Sequence, residues 1–131
     1  MTFEQYQKAV YRAIHEHASN KEEVMHWAIG LGEEAGETLS VIKHKYYGGS
    51  YDVEDIVGEL GDVLWYAAAL CTALNIDMDG VATYNIAKLE HRYPTGLFDD
   101  KRSMVRHTID GSFKDSPIRE RIMNNIKLKE E

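Results

Sequence analysis

From Val63 to Leu74 the chain reads VLWYAAALCTAL, a run that is apolar on nearly every face of a helix. A helix with no polar side must be enclosed by other elements. The run is too short to span a bilayer, which takes roughly 20 residues. It therefore predicts the central, most buried helix of a bundle, starting near Asp52 and ending near Leu74.

The surrounding segments supply amphipathic partners. Phe3, Tyr6, Val10 and Ile14 recur at three- and four-residue steps, which predicts a first helix from Phe3 to His17. A second should open at Asn20, where Asn20 and Glu23 can form a capping pair, and run to Lys45. Its predicted buried stripe is Val24, Trp27, Ala28, Leu31, Ala35 and Ile42. Gly48-Gly49-Ser50 interrupts the chain before the apolar helix. A fourth helix, capped by Asp77 or Asp79, should cover Val81 to Arg92 and stop ahead of Pro94.

Beyond Gly96 the pattern weakens. Asp99 to Asp115 reads as a loop, arm or short hairpin, and Ser116-Pro117 opens a short helix to Lys127 with Ile118, Ile122 and Ile126 along one stripe. The predicted fold is all-α, a four-helix bundle core at residues 1–98 with a C-terminal arm at 99–131.

Charge narrows the functional classes. The chain is net −7, with net −8 over residues 1–98 and net +1 over residues 99–131. A nucleic-acid binder would normally present a basic face, so neither nucleic acid nor membrane is an expected partner. An acidic core can receive a phosphorylated substrate only where cations neutralise it. The single cysteine, Cys71, rules out an internal disulfide and sits in the apolar run as a small hydrophobe. With no apolar leader at the N-terminus, a cytoplasmic setting is expected.

The acids that carry chemistry lie in GEEAGE (32–37) and GELGD (58–62). Glu34 and Glu37 are three apart on one helix, Glu59 and Asp62 three apart on the next, so each pair shares a face. Both pairs border apolar stripes, which aims four carboxylates toward the bundle interior. Uncompensated, such a cluster repels itself and holds protons. Hard divalent cations such as Mg²⁺ or Mn²⁺ relieve that repulsion through oxygen donors. Glu33 turns about 100° away from Glu34 and reads first as solvated, with a supporting base or a substrate contact as the other reading. Gly32, Gly36, Gly58 and Gly61 each cost a helix about 1 kcal/mol relative to alanine, which suggests close approach or room for a ligand.

These blocks, GLGEEAGE, GELGDVLWYAAAL and NIAKLEHRYPTG in that order, resemble the MazG-like all-α nucleoside triphosphate pyrophosphatases over residues 3–96. The resemblance implies hydrolysis of a (d)NTP to the monophosphate and pyrophosphate. It also implies Mg²⁺ or Mn²⁺ held by Glu34, Glu37, Glu59 and Asp62, and a homo-oligomer with sites at subunit boundaries. Glu34 or Glu37 would double as proton acceptor. The family's Asn-x-x-Lys pattern falls on Asn85 and Lys88, and Arg92 extends their face by one turn, so the three could grip phosphate oxygens. Tyr66 stands one turn beyond Asp62 as a further phosphate donor. Trp27 and Ile14 could border a base pocket, and an indole platform would favour a purine, guanine in particular. The basic-leaning arm is expected to pack on a neighbouring subunit.

Two other readings compete. A di-iron bundle wants Glu-x-x-His on two helices, and only Glu23 with His26 supplies it. The remaining histidines (His15, His17, His44, His91 and His107) share no ligand spacing. A non-catalytic helical interaction module with a structural metal site would use the apolar third helix as a contact surface.

Overall fold

The computed structural model describes residues 1–14, 20–50 and 52–126. Every regular element in it is an α-helix: α1 (Phe3–Tyr11), α2 (Asn20–Tyr46), α3 (Val53–Ala73), α4 (Met78–Arg92), α5 (Asp100–Met104), α6 (Arg106–Lys114) and α7 (Pro117–Asn125). The all-helical expectation holds. The predicted extension of the first helix to His17 (with His15), the capping side chain of Asn20, and Lys127 at the end of the last helix lie outside the described residues. The chain divides into two compact units, Met1–Leu74 and Asn75–Glu131. That division falls earlier than the change of sequence character at residue 98.

In the first unit α2 and α3 form the main packed pair, with α1 laid on α3. Local chemistry sets the helix ends. Thr2 and Gln5 close a capping box on α1, and Asp52 and Asp55 close another on α3. Glu22 and Glu23 begin α2 while Lys43, His44 and Lys45 finish it, each sign matching the helix dipole. Gly48 then adopts φ 93°, a left-handed turn that glycine enters without a side-chain clash. Asn75 performs the same service after α3 at φ 55°.

Trp27 faces Trp65 and Tyr66 across the α2–α3 pair, and Glu34, later on α2, lies beside the earlier Glu59 and Asp62 of α3, so the two helices run antiparallel. One close approach is built into that contact: a Cβ added at Gly30 would overlap the Tyr66 ring. The predicted glycines behave differently. Gly32, Gly36, Gly58 and Gly61 have open space where a Cβ would go.

Burial departs from the sequence expectation in an informative way. In α3 only Ala68, Ala69 and Cys71 are buried, while Val57, Leu60 and Leu64 are exposed. On α2 Trp27 is buried, but Ala28, Ala35 and Ile42 are not. The apolar run predicts enclosure on all sides, yet within one chain α3 packs on α2 and α1 alone among the described helices with substantial contact. Taken whole, α3 is also long and apolar enough to cross a bilayer by length and composition. Its first half nevertheless carries Glu54, Asp55, Glu59 and Asp62.

The second unit contains the largest difference from expectation. Asp99 to Asp115 forms two helices, α5 and α6, rather than the loop, arm or short hairpin its pattern suggests. Asp99 caps α5 through the Arg102 amide, and Phe113 of α6 is 2% exposed against the Tyr84 and His91 rings of α4. One deeply seated aromatic fixes a segment whose periodicity is too weak to announce a helix. α7 begins as predicted, with Ser116 capping and Pro117 in the first turn. Its isoleucine stripe is graded: Ile118 is exposed, Ile122 half-buried and Ile126 buried. Both α6 and α7 pack on α4 of the same chain.

Candidate metal centre

The α2–α3 pair places Glu34 beside Glu59 and Asp62. These three carboxylates offer oxygens that all lie within 4.8 Å of one another. Glu34 and Glu59 are half-buried and Asp62 is exposed, so the cluster is open to a ligand on one side. The i, i+3 spacing on α3 and the antiparallel pairing with α2 together create it, since neither helix alone brings three acids to one point.

Electrostatics show the strain of that gathering. Partial burial first, and then the charges of Glu37, Asp62, Glu59 and Glu33, push the Glu34 carboxyl above the ordinary carboxylate range. The donor set is all oxygen and the surrounding acids raise the cost of ionising Glu34, so the residues fit a hard divalent cation such as Mg²⁺ or Mn²⁺. Glu37 lies outside the tight group of three and is exposed, though its charge reaches Glu34.

Other expected site residues fall into different surroundings. Trp27 is 4% exposed and ringed by His26, Trp65 and Tyr66. Its indole is core here rather than an open platform for a base. Tyr66 is half-buried with its ring over Gly30. Ile14 lies beyond the end of α1, half-buried in the turn that follows.

On α4, Asn85 is exposed and Lys88 half-buried. Arg92 is committed elsewhere: its guanidinium donates from Nε and from a terminal nitrogen to the two oxygens of Asp110 on α6. Arg102 of α5 donates in turn to the carbonyls of Arg92 and His91. The Arg92 side chain is 13% exposed and that of Asp110 26%. Thus the phosphate-gripping role expected for Arg92 meets a guanidinium already occupied in a bidentate pair. Asp110 was not a candidate in the sequence, because its partner is 18 residues away and on no shared helix face.

The Arg92 hydrogen bond, outweighing burial, holds the Asp110 carboxyl below its usual range, with Lys88 and His107 adding smaller charge effects. A depressed acid stabilises the fold above the ordinary carboxylate range, and that contribution is lost as pH falls through its lowered value. Asp110→Asn is therefore expected to lower the melting temperature at pH 7. The deficit should narrow below about pH 4, where ordinary aspartates also take up protons. Thermal melts of both proteins at pH 7 and pH 3 check this.

An all-helical chain with an acidic, oxygen-only cluster between two long helices defines the general class. A family model, the MazG nucleotide pyrophosphohydrolase domain, matches residues 20–97. The chain belongs to the MazG family. No curated protein and no solved structure matches it. The matched span holds α2, α3 and α4 and leaves out α1 and α5 to α7.

Proposed function

We propose that the protein is a divalent-metal-dependent nucleoside triphosphate pyrophosphohydrolase, converting a (d)NTP and water to the (d)NMP and pyrophosphate. The observation that carries this reading is the convergence of Glu34, Glu59 and Asp62 within a family whose domain acts on nucleotide pyrophosphate bonds. Bound among those oxygens, Mg²⁺ or Mn²⁺ would neutralise the triphosphate and stabilise charge on the departing pyrophosphate. Glu34, Glu59 and Asp62 would hold the cation. Glu37, one turn from Glu34 and free of the tight cluster, accepts the proton of the water that attacks the α-phosphorus. Asn85 and Lys88 are assigned to phosphate oxygens on the family's Asn-x-x-Lys pattern. The purine preference expected from an open Trp27 loses its support, since that indole is enclosed. A panel of ribo- and deoxyribonucleoside triphosphates, assayed for pyrophosphate with each metal, tests the reading. A folded protein that releases none in Mg²⁺ or Mn²⁺ is not this enzyme, and the interaction-module alternative would stand.

We also propose a homo-oligomer in a cytoplasmic setting. Along α2, Met25, Ile29 and Leu39 are exposed and fall with Gly32 and Gly36 on alternating four- and three-residue steps, with exposed Tyr46 two turns beyond Leu39. Along α3, Val53, Val57, Leu60 and Leu64 repeat that spacing, also exposed. This is the rhythm of a helix–helix seam, and the two bare glycines leave room for a neighbouring helix. A second copy of the chain is the occupant proposed. Leu39→Glu is expected to reduce the sedimenting mass to that of a monomer. A wild-type chain that already sediments as a monomer would contradict the assembly.

A further inference from the structure

Tyr6 lies outside the matched family span, on α1, yet reaches the candidate metal helix. Its phenol donates to the main-chain carbonyl of Gly61 at 3.4 Å. Gly61 directly precedes Asp62 and lies two residues after Glu59. The residue is half-buried. A second tie joins the same two helices farther along: Gln7 Nε2 donates to Thr72 Oγ1 at 3.1 Å. The Thr2–Gln5 capping box fixes the first turn of α1 just ahead of both side chains.

Granting the cation reading above, we propose that Tyr6 is a positioning residue for the metal centre: its hydroxyl pins the Gly61–Asp62 segment of α3 and thereby fixes Asp62 relative to Glu59 and Glu34. The physical reason is that a cation site needs its oxygens held in place before the ion arrives. An exposed aspartate on a helix with few buried contacts in its first half is poorly restrained by packing. A hydrogen bond to the adjacent carbonyl supplies restraint where the hydrophobic core does not. Groups that hold ligands without touching the ion commonly change metal affinity by 10–100-fold when removed.

The test titrates Mn²⁺ alone into the nucleotide-free protein by calorimetry. Tyr6→Phe removes one oxygen and keeps the ring, and it is expected to weaken Mn²⁺ binding by about tenfold. At saturating Mn²⁺, kcat should return close to wild type while the metal concentration for half-maximal rate stays raised. Gln7→Met cuts the other α1–α3 tie and is expected to lower the melting temperature without changing Mn²⁺ affinity. If Tyr6→Phe binds Mn²⁺ as tightly as wild type, Tyr6 only packs and the inference fails while the cation site stands. If wild type binds no Mn²⁺, the cation site and this inference fail together.

Discussion

Replacing Glu34, Glu59 or Asp62 by its amide is expected to reduce pyrophosphate release by at least about 100-fold, while leaving the metal-free protein folded. Each substitution keeps the shape of the side chain and removes one charged oxygen donor. Loss of activity should therefore accompany loss of metal binding, read by Mn²⁺ titration of the same preparations. Glu37→Gln should behave differently. It too is expected to lower kcat by about 10²–10⁴-fold as a lost proton acceptor, but with Mn²⁺ affinity largely kept, because Glu37 stands outside the group of three. If all four variants lose metal equally, Glu37 is a ligand and the proton acceptor must be sought elsewhere. If the three amides retain activity, the cluster is not the catalytic centre.

Stability offers the second large effect, through the Glu34 carboxyl that its neighbours push upward. A group whose pKa is raised by folding favours the native state below the ordinary carboxylate range and loses that contribution as pH rises through its folded value. At neutral pH the metal-free protein thus bears the repulsion that Glu37, Asp62, Glu59 and Glu33 exert on Glu34. A divalent cation removes it. Mg²⁺ or Mn²⁺ at 100 times its Kd should stabilise the fold by about 2.7 kcal/mol, a rise in Tm on the order of 5–10 °C for a chain of this size. Since protons compete for the same oxygens, the rise should be smaller at pH 5 than at pH 7.5. Chelation by EDTA should reverse it. Glu34→Gln, which removes one repelling charge, should melt no lower than wild type without metal and respond weakly to it. A Tm indifferent to divalent cations across this pH range would argue against the site.

The acids show how far local pattern reaches. Glu34, Glu59 and Asp62 were legible because three-residue spacing on a helix puts side chains on one face whatever the fold around them. The blocks GLGEEAGE and GELGDVLWYAAAL carried the family, which the match over residues 20–97 establishes. Helix boundaries at Asp52, Asp77 and Ser116 were legible too, since a capping side chain acts on amides two or three residues away. The contacts that local pattern does not encode span long separations. Tyr6 and Gly61 are 55 residues apart, and Arg92 and Asp110 are 18 apart. No local rhythm encodes either pair.

By itself, then, the sequence determined that the chain is helical, where most of its helices begin, and which acids share a face, because those properties arise from interactions within a turn or two. Only the tertiary structure decided that Trp27 is core, that Arg92 is held by Asp110, that residues 99–115 fold into helices on α4, and that half of α3 is left open. Those outcomes depend on which surfaces meet, and a periodic apolar pattern states that a face will be covered without stating by what.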